Sequence, residues 1–358
     1  MKKMIFLMLF LNFIHLNAGH STEKKNMKAH HSGERFRNPY MKKQDKQFGD
    51  FLKFAFKERS RSRVKEFGKQ IPTQQINLSK IKSPGLMPQA TWIGHSTVLF
   101  QYKSKNIITD PVFSDRCSPV SFAGPKRYTK AAASIEELPQ IDFAMISHNH
   151  YDHLDEASVL AMGNKVKWLV PLGLKEWFSE RGINNVVELD WFESTSIDGI
   201  TFTATPTQHW SRRGINDARK SLWASWLADI DGYKFWFGGD TGYNEIQFKE
   251  IGEKLGPIDF AAIPIGAYSP RWFMKGFHVN PKEAVQIHMD IKSKKSMGIH
   301  WGTFVLTTEP VIDPPIRLKE ALENFGLKED EFITMAIGET KVLKTEKKLT
   351  KVQSEVKP

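Results

Sequence analysis

A run of three histidines and one aspartate directly after an apolar segment constrains this chain more than any other feature of its sequence. Residues 141–147 are mostly apolar and predict a buried strand, and the hexad His148-Asn149-His150-Tyr151-Asp152-His153 follows at once. His148 and His150 can turn to one side of an extended loop, while Asp152 and His153 face a second point nearby. A single buried histidine is usually a core residue, but this spacing can hold two metal ions from one loop.

Three further histidine or aspartate side chains occur in the same setting, just past a β-rich segment. Because strand ends can meet at one edge of a layered sheet, we expect them to join the hexad. The chain has one cysteine, Cys117, so a disulfide framework and a cysteine-based zinc site are excluded. A metal must therefore be held by histidines and carboxylates. The predicted set suffices for a dinuclear site with a shared carboxylate: His148, His150, Asp152, His153, His209, Asp240 and His300.

The positive charge of the chain is concentrated near its start. Residues 1–70 carry 17 lysines and arginines against six acidic residues, whereas the remainder carries 34 of each, within a formal net charge of +11. A neutral body argues against a nucleic-acid groove, so we predict no nucleic-acid partner. Residues 20–70 form a basic polar arm, which either lies on an anionic bilayer or packs one face of a helix on the domain. Its His30-His31 pair belongs to a flexible stretch and predicts no metal site.

The first 19 residues have the pattern of a secretory signal peptide. Two lysines precede an apolar run over residues 4–14, and the small residues Ala18 and Gly19 follow. This predicts an exported protein, periplasmic or extracellular and membrane-associated, with a cleaved segment or a retained anchor as alternatives. The remaining division is a hydrolase domain over 71–345 and a polar C-terminal tail over 346–358.

The motifs around these residues are similar to those of a known family. The hexad with its three partners resembles the metallo-β-lactamase superfamily, and the longer motifs resemble its N-acylphosphatidylethanolamine-hydrolysing phospholipase D family. The similarity runs from about Arg35 to about Glu339. It implies an α/β fold, a single-domain αββα sandwich preceded by the basic arm. The motifs that carry the resemblance are Ser147–Asp155, Gln208–Trp210, Gly239–Tyr243, Ile263–Tyr268, Pro270–Lys275 and Lys295–Phe304.

The resemblance also implies roles for the predicted ligands. His148, His150 and His209 would hold one zinc ion, Asp152, His153 and His300 a second, and Asp240 would bridge the two. A metal-bridging hydroxide would then attack the phosphorus of N-acylphosphatidylethanolamine and release N-acylethanolamine and phosphatidic acid. Asp152 and Asp240 would thereby be catalytic as well as ligands. Iron or manganese stays open as an alternative to zinc.

Four further residues are candidates for contacts to the substrate. His278 is expected to touch the substrate or to protonate the leaving group, with a surface loop histidine as the alternative. Tyr268, Arg271 and Trp272 are weaker candidates for phosphate or headgroup contacts. Asp155 is expected to orient a ligand histidine. His95 and His288 are interpreted as structural, and Asp110 is given only a loop role.

Three other functions stay open at this point. The same metal set supports a lactonase or a phosphodiesterase acting on another substrate, since an activated water also attacks carbonyl carbon. A nuclease and a lipid-binding protein with an inactive site are further alternatives. A phospholipid at a membrane surface is the predicted partner, and a homodimer is suggested by resemblance. The sequence does not predict the acyl chain or headgroup preference.

Overall fold

The computed structural model of this protein describes residues 28–41, 49–50, 53–54 and 71–344. The predicted signal peptide and C-terminal tail, and most of the basic arm, lie outside these residues. The strands are β1 His31–Ser32, β2 Arg35–Phe36, β3 Gln89–Gly94, β4 Thr97–Tyr102, β5 Lys105–Thr109, β6 Phe143–Met145, β7 Lys167–Pro171, β8 Val186–Leu189, β9 Ser194–Ile197, β10 Ile200–Thr205, β11 Ser225–Ile230, β12 Tyr233–Phe237, β13 Phe260–Pro264, β14 Ser296–Ile299, β15 Phe332–Ile333 and β16 Thr340–Val342. The helices are α1 Leu78–Lys82, α2 Glu156–Met162, α3 Lys175–Ser179, α4 Gln247–Lys254, α5 Arg271–Met274, α6 Pro281–Asp290 and α7 Asp313–Phe325, with a short 3₁₀ helix at Gly163–Lys165.

Two seven-stranded mixed sheets organise the domain. The first has the order β16-β3-β4-β5-β6-β7-β8 and the second β15-β14-β13-β12-β11-β10-β9. In each sheet, antiparallel neighbours give way to parallel ones, from β5 to β8 in the first and from β12 to β15 in the second. Helices cover the outer faces, so the predicted αββα sandwich is confirmed.

Strand β6 shows how the sequence builds these layers. Phe143 and Met145 belong to the larger core, which joins side chains of both sheets, whereas Ala144 and Ile146 belong to a second core with α2 and α3. Successive residues of a strand point to opposite faces, so a strand covered on both sides must be apolar throughout. This explains the unbroken apolar run that precedes the hexad.

The predicted site residues follow strands that point the same way. In the first sheet β3, β5 and β6 are mutually parallel, because two antiparallel pairings separate β3 from β5. In the second sheet β10, β12, β13 and β14 are parallel for the same reason. Their carboxyl ends therefore lie at one edge of each sheet, where ligands bind in open α/β folds.

The described part of the basic arm packs on the domain. Residues 28–41, called the strap here, contain the β1–β2 hairpin, and the amide of Phe36 donates to the carbonyl of Arg219 at 2.8 Å. The expectation of a flexible stretch around His30 and His31 is wrong, since His30 is buried against the domain. The side chain of His30 contacts Asp190, which is distant in the sequence.

Candidate metal centre

The structure brings all seven predicted ligands together, and the first group contains His148, His150 and His209. His148 Nε2 lies 2.8 Å from His150 Nδ1, and His209 Nε2 lies 3.2 Å from the same Nδ1 atom. Two of these residues follow β6 and the third follows β10, so the group joins the two sheets at their shared edge. Three imidazole nitrogens converge on one point.

The second group contains Asp152, His153 and His300. Asp152 Oδ2 lies 3.5 Å from His153 Nε2 and 3.4 Å from His300 Nε2. His300 directly follows β14, on the opposite sheet from the hexad. One carboxylate and two imidazoles therefore form a second converging set beside the first.

The carboxylate of Asp240 lies between the two groups. Its Oδ2 atom is 3.8 Å from His209 Nε2 and 3.2 Å from His153 Nε2, and its Oδ1 atom is 3.1 Å from His300 Nε2. Asp240 reaches this position because Gly239 has a φ of 57° and passes close to Ser147, whose Cβ would lie 2.5 Å from a Cβ added at Gly239. One side chain thus faces both groups.

The donor atoms fit bound cations better than they fit one another. His153 Nε2, His300 Nε2 and Asp240 Oδ1 are buried and make no hydrogen bond to any residue in the described part of the chain. Buried polar atoms are normally hydrogen-bonded, so atoms that converge without bonding fit a divalent cation between them.

The ionisation of the site agrees with this interpretation. Burial lowers the pKa of His148 and His209 well below the usual value, which leaves their imidazoles neutral and able to bind a metal. Burial acts to raise the pKa of Asp240, but the imidazoles of His153 and His300 outweigh it and hold that pKa well below its usual value. In His300 burial is outweighed by Asp240, which raises the pKa to about 9. A bound divalent cation would replace that proton.

Asp110 supports the ligands from behind. Its Oδ2 accepts from His153 Nδ1 at 2.5 Å and from Ser147 Oγ at 2.5 Å, and its Oδ1 accepts from the Ser147 amide at 2.7 Å. Such outer carboxylates orient a ligand imidazole and fix its tautomer. From the sequence, only a loop role is predicted for Asp110. A signal was present in the sequence, since Asp110, like Asp240, follows an apolar strand.

Asp155 does not take the orienting role predicted for it. Its carboxylate accepts from the amides of Phe113 and Ser114, from Ser114 Oγ at 2.8 Å and from Ser158 Oγ at 2.5 Å. The prediction is wrong because the chain turns after the hexad and directs Asp155 away from the ligand imidazoles. It holds the 113–114 segment instead.

His95 lies against the second group. It follows β3, is 1% exposed, and places Nε2 3.2 Å from Asp152 Oδ2. Burial lowers its pKa to about 3, so it is neutral at physiological pH. His95, Asp110 and His300 all have positive φ directly after a strand. Non-glycine residues held in this region are strained, and such residues cluster at functional sites.

His209 is held by one hydrogen bond through its ring and another through its backbone carbonyl. Its Nδ1 donates to the carbonyl of Phe277 at 2.9 Å, which directs Nε2 to the first group. Its own carbonyl accepts from Asn38 Nδ2 at 2.8 Å, and Asn38 is a buried residue of the strap. Asn38 was assigned no role from the sequence.

The residues predicted to contact substrate lie around this edge. His278 Nδ1 is 3.8 Å from Asp240 Oδ2, with 13% of its side chain exposed. The Tyr268 hydroxyl donates to Asp313, and Arg271 donates to Glu283 at 2.6 Å.

These contacts separate the four candidates. Arg271 also donates to the carbonyl of His278 at 2.7 Å, so its guanidinium holds the histidine rather than standing free. Trp272 is 47% exposed, with Lys53 Nζ 4.3 Å from its ring centroid. Among the four candidates, His278 faces the predicted ligand Asp240, whereas Tyr268 and Arg271 are engaged within the protein.

Comparison with known proteins identifies relatives of this site. The profile of the β-lactamase superfamily domain matches residues 105–301. N-acyl-phosphatidylethanolamine-hydrolyzing phospholipase D 1 of Caenorhabditis elegans is 47% identical over 264 residues, 70% of this chain and 74% of the relative. The mitochondrial N-acyl-phosphatidylethanolamine-hydrolyzing phospholipase D of Saccharomyces cerevisiae is 38% identical over 258 residues, 70% of this chain and 55% of the relative.

A solved structure supports the fold alone. Igni18, a metallo hydrolase of Ignicoccus hospitalis, is 18% identical with a TM-score of 0.55, over 73% of this chain and 100% of that one. Its similarity agrees with the sandwich described above.

The comparisons also correct the predicted location. The yeast relative is named as a mitochondrial protein, so the prediction of an exported protein is wrong. An apolar start with two lysines does not specify export within a group that includes such a relative. In the described part of the chain, no helix combines the length and apolar character needed to cross a bilayer.

Fold, site and relatives lead to one conclusion. The site gathers histidines and carboxylates that fit divalent cations, on a scaffold shared with metal-dependent hydrolases. Two of the chain's sequence relatives, at 47% and 38% identity, are named as phospholipases D. The chain is an enzyme, a metal-dependent hydrolase, and it belongs to the N-acylphosphatidylethanolamine-hydrolysing phospholipase D family of the metallo-β-lactamase superfamily.

Proposed function

We propose that this enzyme hydrolyses N-acylphosphatidylethanolamine to N-acylethanolamine and phosphatidic acid with two zinc ions. The observation that carries the proposal is the position of Asp240, whose two oxygens face both ligand groups at 3.1 to 3.8 Å. A shared carboxylate is typical of a two-metal site for displacement at phosphorus. The names of the relatives supply the substrate class.

The proposed ligand division follows the two groups. His148, His150 and His209 hold one ion, and Asp152, His153 and His300 hold the other, with Asp240 between them. Imidazole and carboxylate donors suit zinc, although iron and manganese accept the same donors. Metal analysis of the purified enzyme is therefore part of the test.

The residues of the chain supply binding and proton transfer. When bound, the two ions provide positive charge for the phosphoryl oxygens and lower the pKa of the attacking water. The bond from phosphorus to the ethanolamine oxygen breaks, and that oxygen needs a proton to leave readily. We assign this proton to His278, which stands at the exposed side of Asp240 and is held there through its carbonyl by Arg271.

The partner in this proposal is a phospholipid at a membrane surface, not a nucleic acid. Trp272 offers an exposed aromatic ring near His278, and such rings favour the bilayer interface. A homodimer is proposed on family resemblance alone. Gel filtration with light scattering tests the dimer separately from the reaction.

The decisive experiment is an assay on vesicles containing N-acylphosphatidylethanolamine. We expect both products to appear, activity to vanish on dialysis against a chelator, and zinc to restore it at two ions per chain. A lactone and a simple soluble phosphodiester serve as rival substrates. Faster turnover of the lactone would show that the scaffold works at carbonyl carbon. Full activity after chelation would contradict the two-metal proposal.

A further inference from the structure

Two exposed loops carry apolar side chains at their tips. Ile215 is 85% exposed and Phe122 is 81% exposed, which makes them the two most exposed large apolar residues in the described part of the chain. Single exposed apolar residues are ordinary on protein surfaces. These two, however, lie on loops that come together although they are distant in the sequence.

The two loops line one cavity. Val120 and Ser121 of one loop and Gly214 and Asp217 of the other border a space of about 670 Å³. Tyr151 of the hexad lines it as well. The Tyr151 hydroxyl donates to the carbonyl of Arg213 at 3.0 Å, which ties the second loop to the hexad. The cavity therefore adjoins the metal-binding loop.

Two guanidinium groups of this cavity have no carboxylate partner. Arg213 Nη1 donates to the carbonyls of Asn149 and Leu154 at 3.1 and 2.7 Å, and its guanidinium carbon lies 4.0 Å from the Tyr151 ring centroid. Arg116 Nη1 donates to the carbonyl of Gly124 at 2.6 Å. Neither makes an ion pair with any acidic residue that the structure describes.

Four acidic residues line the cavity with the arginines: Asp115, Asp155, Glu156 and Asp217. Three of them are held by neighbouring groups of the protein. Glu156 forms an ion pair with Arg181 at 3.0 Å. Asp217 Oδ2 accepts from the amides of Arg213 and Gly214 at 3.0 and 2.8 Å, whereas Asp217 Oδ1 is buried and makes no hydrogen bond in the described part of the chain. Asp155 binds the 113–114 segment, as described above. Burial lowers the pKa of the Arg213 guanidinium, as expected for a cation that water solvates poorly.

Unpaired cations beside apolar tips match the chemistry of a phospholipid surface. Arginine binds phosphate through several parallel hydrogen bonds, and apolar side chains at the interface enter the acyl region. A soluble anion would account for the arginines but not for Phe122 and Ile215. A protein partner would leave the wide cavity behind the tips unexplained.

We propose that these loops and their cavity form the membrane-docking surface, in which Phe122 and Ile215 enter the bilayer and Arg116 and Arg213 bind the phosphate of an anionic lipid headgroup. The inference rests on the proposed lipid substrate. Since Arg213 also holds two carbonyls of the hexad loop, docking would place the plane of headgroup phosphates beside the metal centre. The surface differs from the Trp272 face considered above.

Partition of the full-length enzyme to vesicles tests this surface without any catalytic turnover. The probes are vesicles of phosphatidylcholine with and without phosphatidylglycerol. Phe122→Ser combined with Ile215→Ser should lower partition to both about tenfold, because two apolar side chains no longer leave water. Arg116→Gln should lower partition about fivefold on the phosphatidylglycerol vesicles alone.

Leu86→Ser is the matched control. Leu86 is 77% exposed but precedes β3, whose amino end lies at the opposite edge of the sheet from the metal centre. We expect this variant to partition like the wild type. On a soluble phosphodiester all variants should keep the wild-type kcat/KM, whereas on vesicles the double variant should lose activity. Failure of the proposed reaction would change the activities but not the partition.

If the basic arm dominates binding to vesicles, the substitutions will change partition little. A second measurement therefore reports on position 122 directly. Phe122→Trp should show a blue shift of the added emission and quenching by brominated acyl chains, whereas Leu86→Trp should show neither. Absence of quenching at position 122 would overturn the proposal. A second result would also overturn it: inorganic phosphate protects the wild type from thermal unfolding, Arg116→Gln abolishes this protection, and all variants still bind vesicles equally. The cavity would then be a site for a soluble anion.

Discussion

Two clusters of histidine and aspartate in this molecule look alike in composition and behave differently. One is the metal centre at the strand ends. The other, called the strap cluster here, contains His30, His31 and Asp190, with His30 Nε2 2.6 Å and His31 Nε2 2.9 Å from the oxygens of Asp190. Both are mostly buried, and both bring side chains together from distant parts of the chain.

The difference lies in where the donor atoms find partners. In the strap cluster each histidine binds a different oxygen of Asp190, and Lys28 Nζ already supplies a cation at 2.9 Å from Oδ2. In the metal centre, His153 Nε2 and His300 Nε2 make no hydrogen bond within the described chain. Proximity of histidine and aspartate alone therefore does not indicate a metal site. Buried donor atoms left without a hydrogen bond, as in His153 and His300, favour a bound cation.

The largest expected effect separates the two central carboxylates. Asp240→Asn should remove metal and activity together while the protein stays folded, since an amide nitrogen replaces one of the two carboxylate oxygens that face the ligand groups. The loss should exceed the roughly 100-fold that outer contacts of a metal site contribute. Asp190→Asn is the control and should keep both ions. Metal analysis and turnover measure the outcome. Full turnover in Asp240→Asn would contradict the bridging role proposed for this carboxylate.

The next effect concerns the carboxylate behind His153. Asp110→Asn should weaken metal binding by about 10 to 100-fold, because His153 Nδ1 and Ser147 Oγ lose their anionic acceptor. Competition with a chromogenic chelator gives the affinity. Asp155→Asn is the matched variant, since its carboxylate touches no predicted ligand, and it should leave the affinity unchanged. Equal losses in the two variants would argue against an orienting role for Asp110.

Removal of the strap cluster should act on stability alone. Asp190→Ala should lower the free energy of unfolding by about 2 kcal/mol at neutral pH, because buried hydrogen bonds to His30 and Lys28 are lost. Although burial acts to raise it, those bonds hold the pKa of Asp190 well below its usual value. Its contribution is therefore complete above about pH 4, the range of an unfolded aspartate, and is lost as the pH falls further.

Urea unfolding at several pH values measures this difference. The gap between wild type and Asp190→Ala should stay constant near neutrality and close in acid. A gap that widened as the pH fell would contradict the assignment. Unchanged metal content in the variant would complete the contrast with Asp240.

The smallest effect belongs to a buried histidine outside both clusters. His288 Nδ1 lies 2.8 Å from Ser296 Oγ, and burial lowers the pKa of His288 to about 4. The folded state thus prefers the neutral ring, and its stability should fall as the pH drops from about 6.5, the unfolded value, toward about 4. His288→Gln should flatten that part of the stability profile and leave stability at pH 8 within about 1 kcal/mol of wild type. An unchanged slope of stability against pH in His288→Gln would contradict this assignment.

The fold and the ligand set were open to prediction because both rest on local patterns. Apolar runs that end in a histidine or aspartate mark strand ends, and His209, Asp240 and His300 were predicted this way. Asp110 follows the same pattern after β5 but was missed, since one aspartate before a proline is also an ordinary turn signal. Asp155 was misassigned because adjacency in sequence does not give the direction of a side chain.

The contacts between distant segments were not open to prediction. Nothing near His30 announces Asp190, and nothing near Asn38 announces the carbonyl of His209. Likewise, Arg271 is indistinguishable in sequence from a phosphate-binding arginine until Glu283 and the carbonyl of His278 are seen beside it.

Short segments of the sequence predict which strands are buried and which donor types follow them, because burial pattern and side-chain chemistry are local properties. Packing of the whole chain determines which buried donors meet without a hydrogen bond, such as His153 and His300, and which are already paired, such as His30 and Asp190. That distinction depends on the face-to-face packing of the two sheets and on the path of the strap. The packing of the sheets joins residues as distant as His95 and Thr303, 208 positions apart. Local patterns do not predict such pairings, since no short segment contains both partners and closing the long loop between them costs chain entropy.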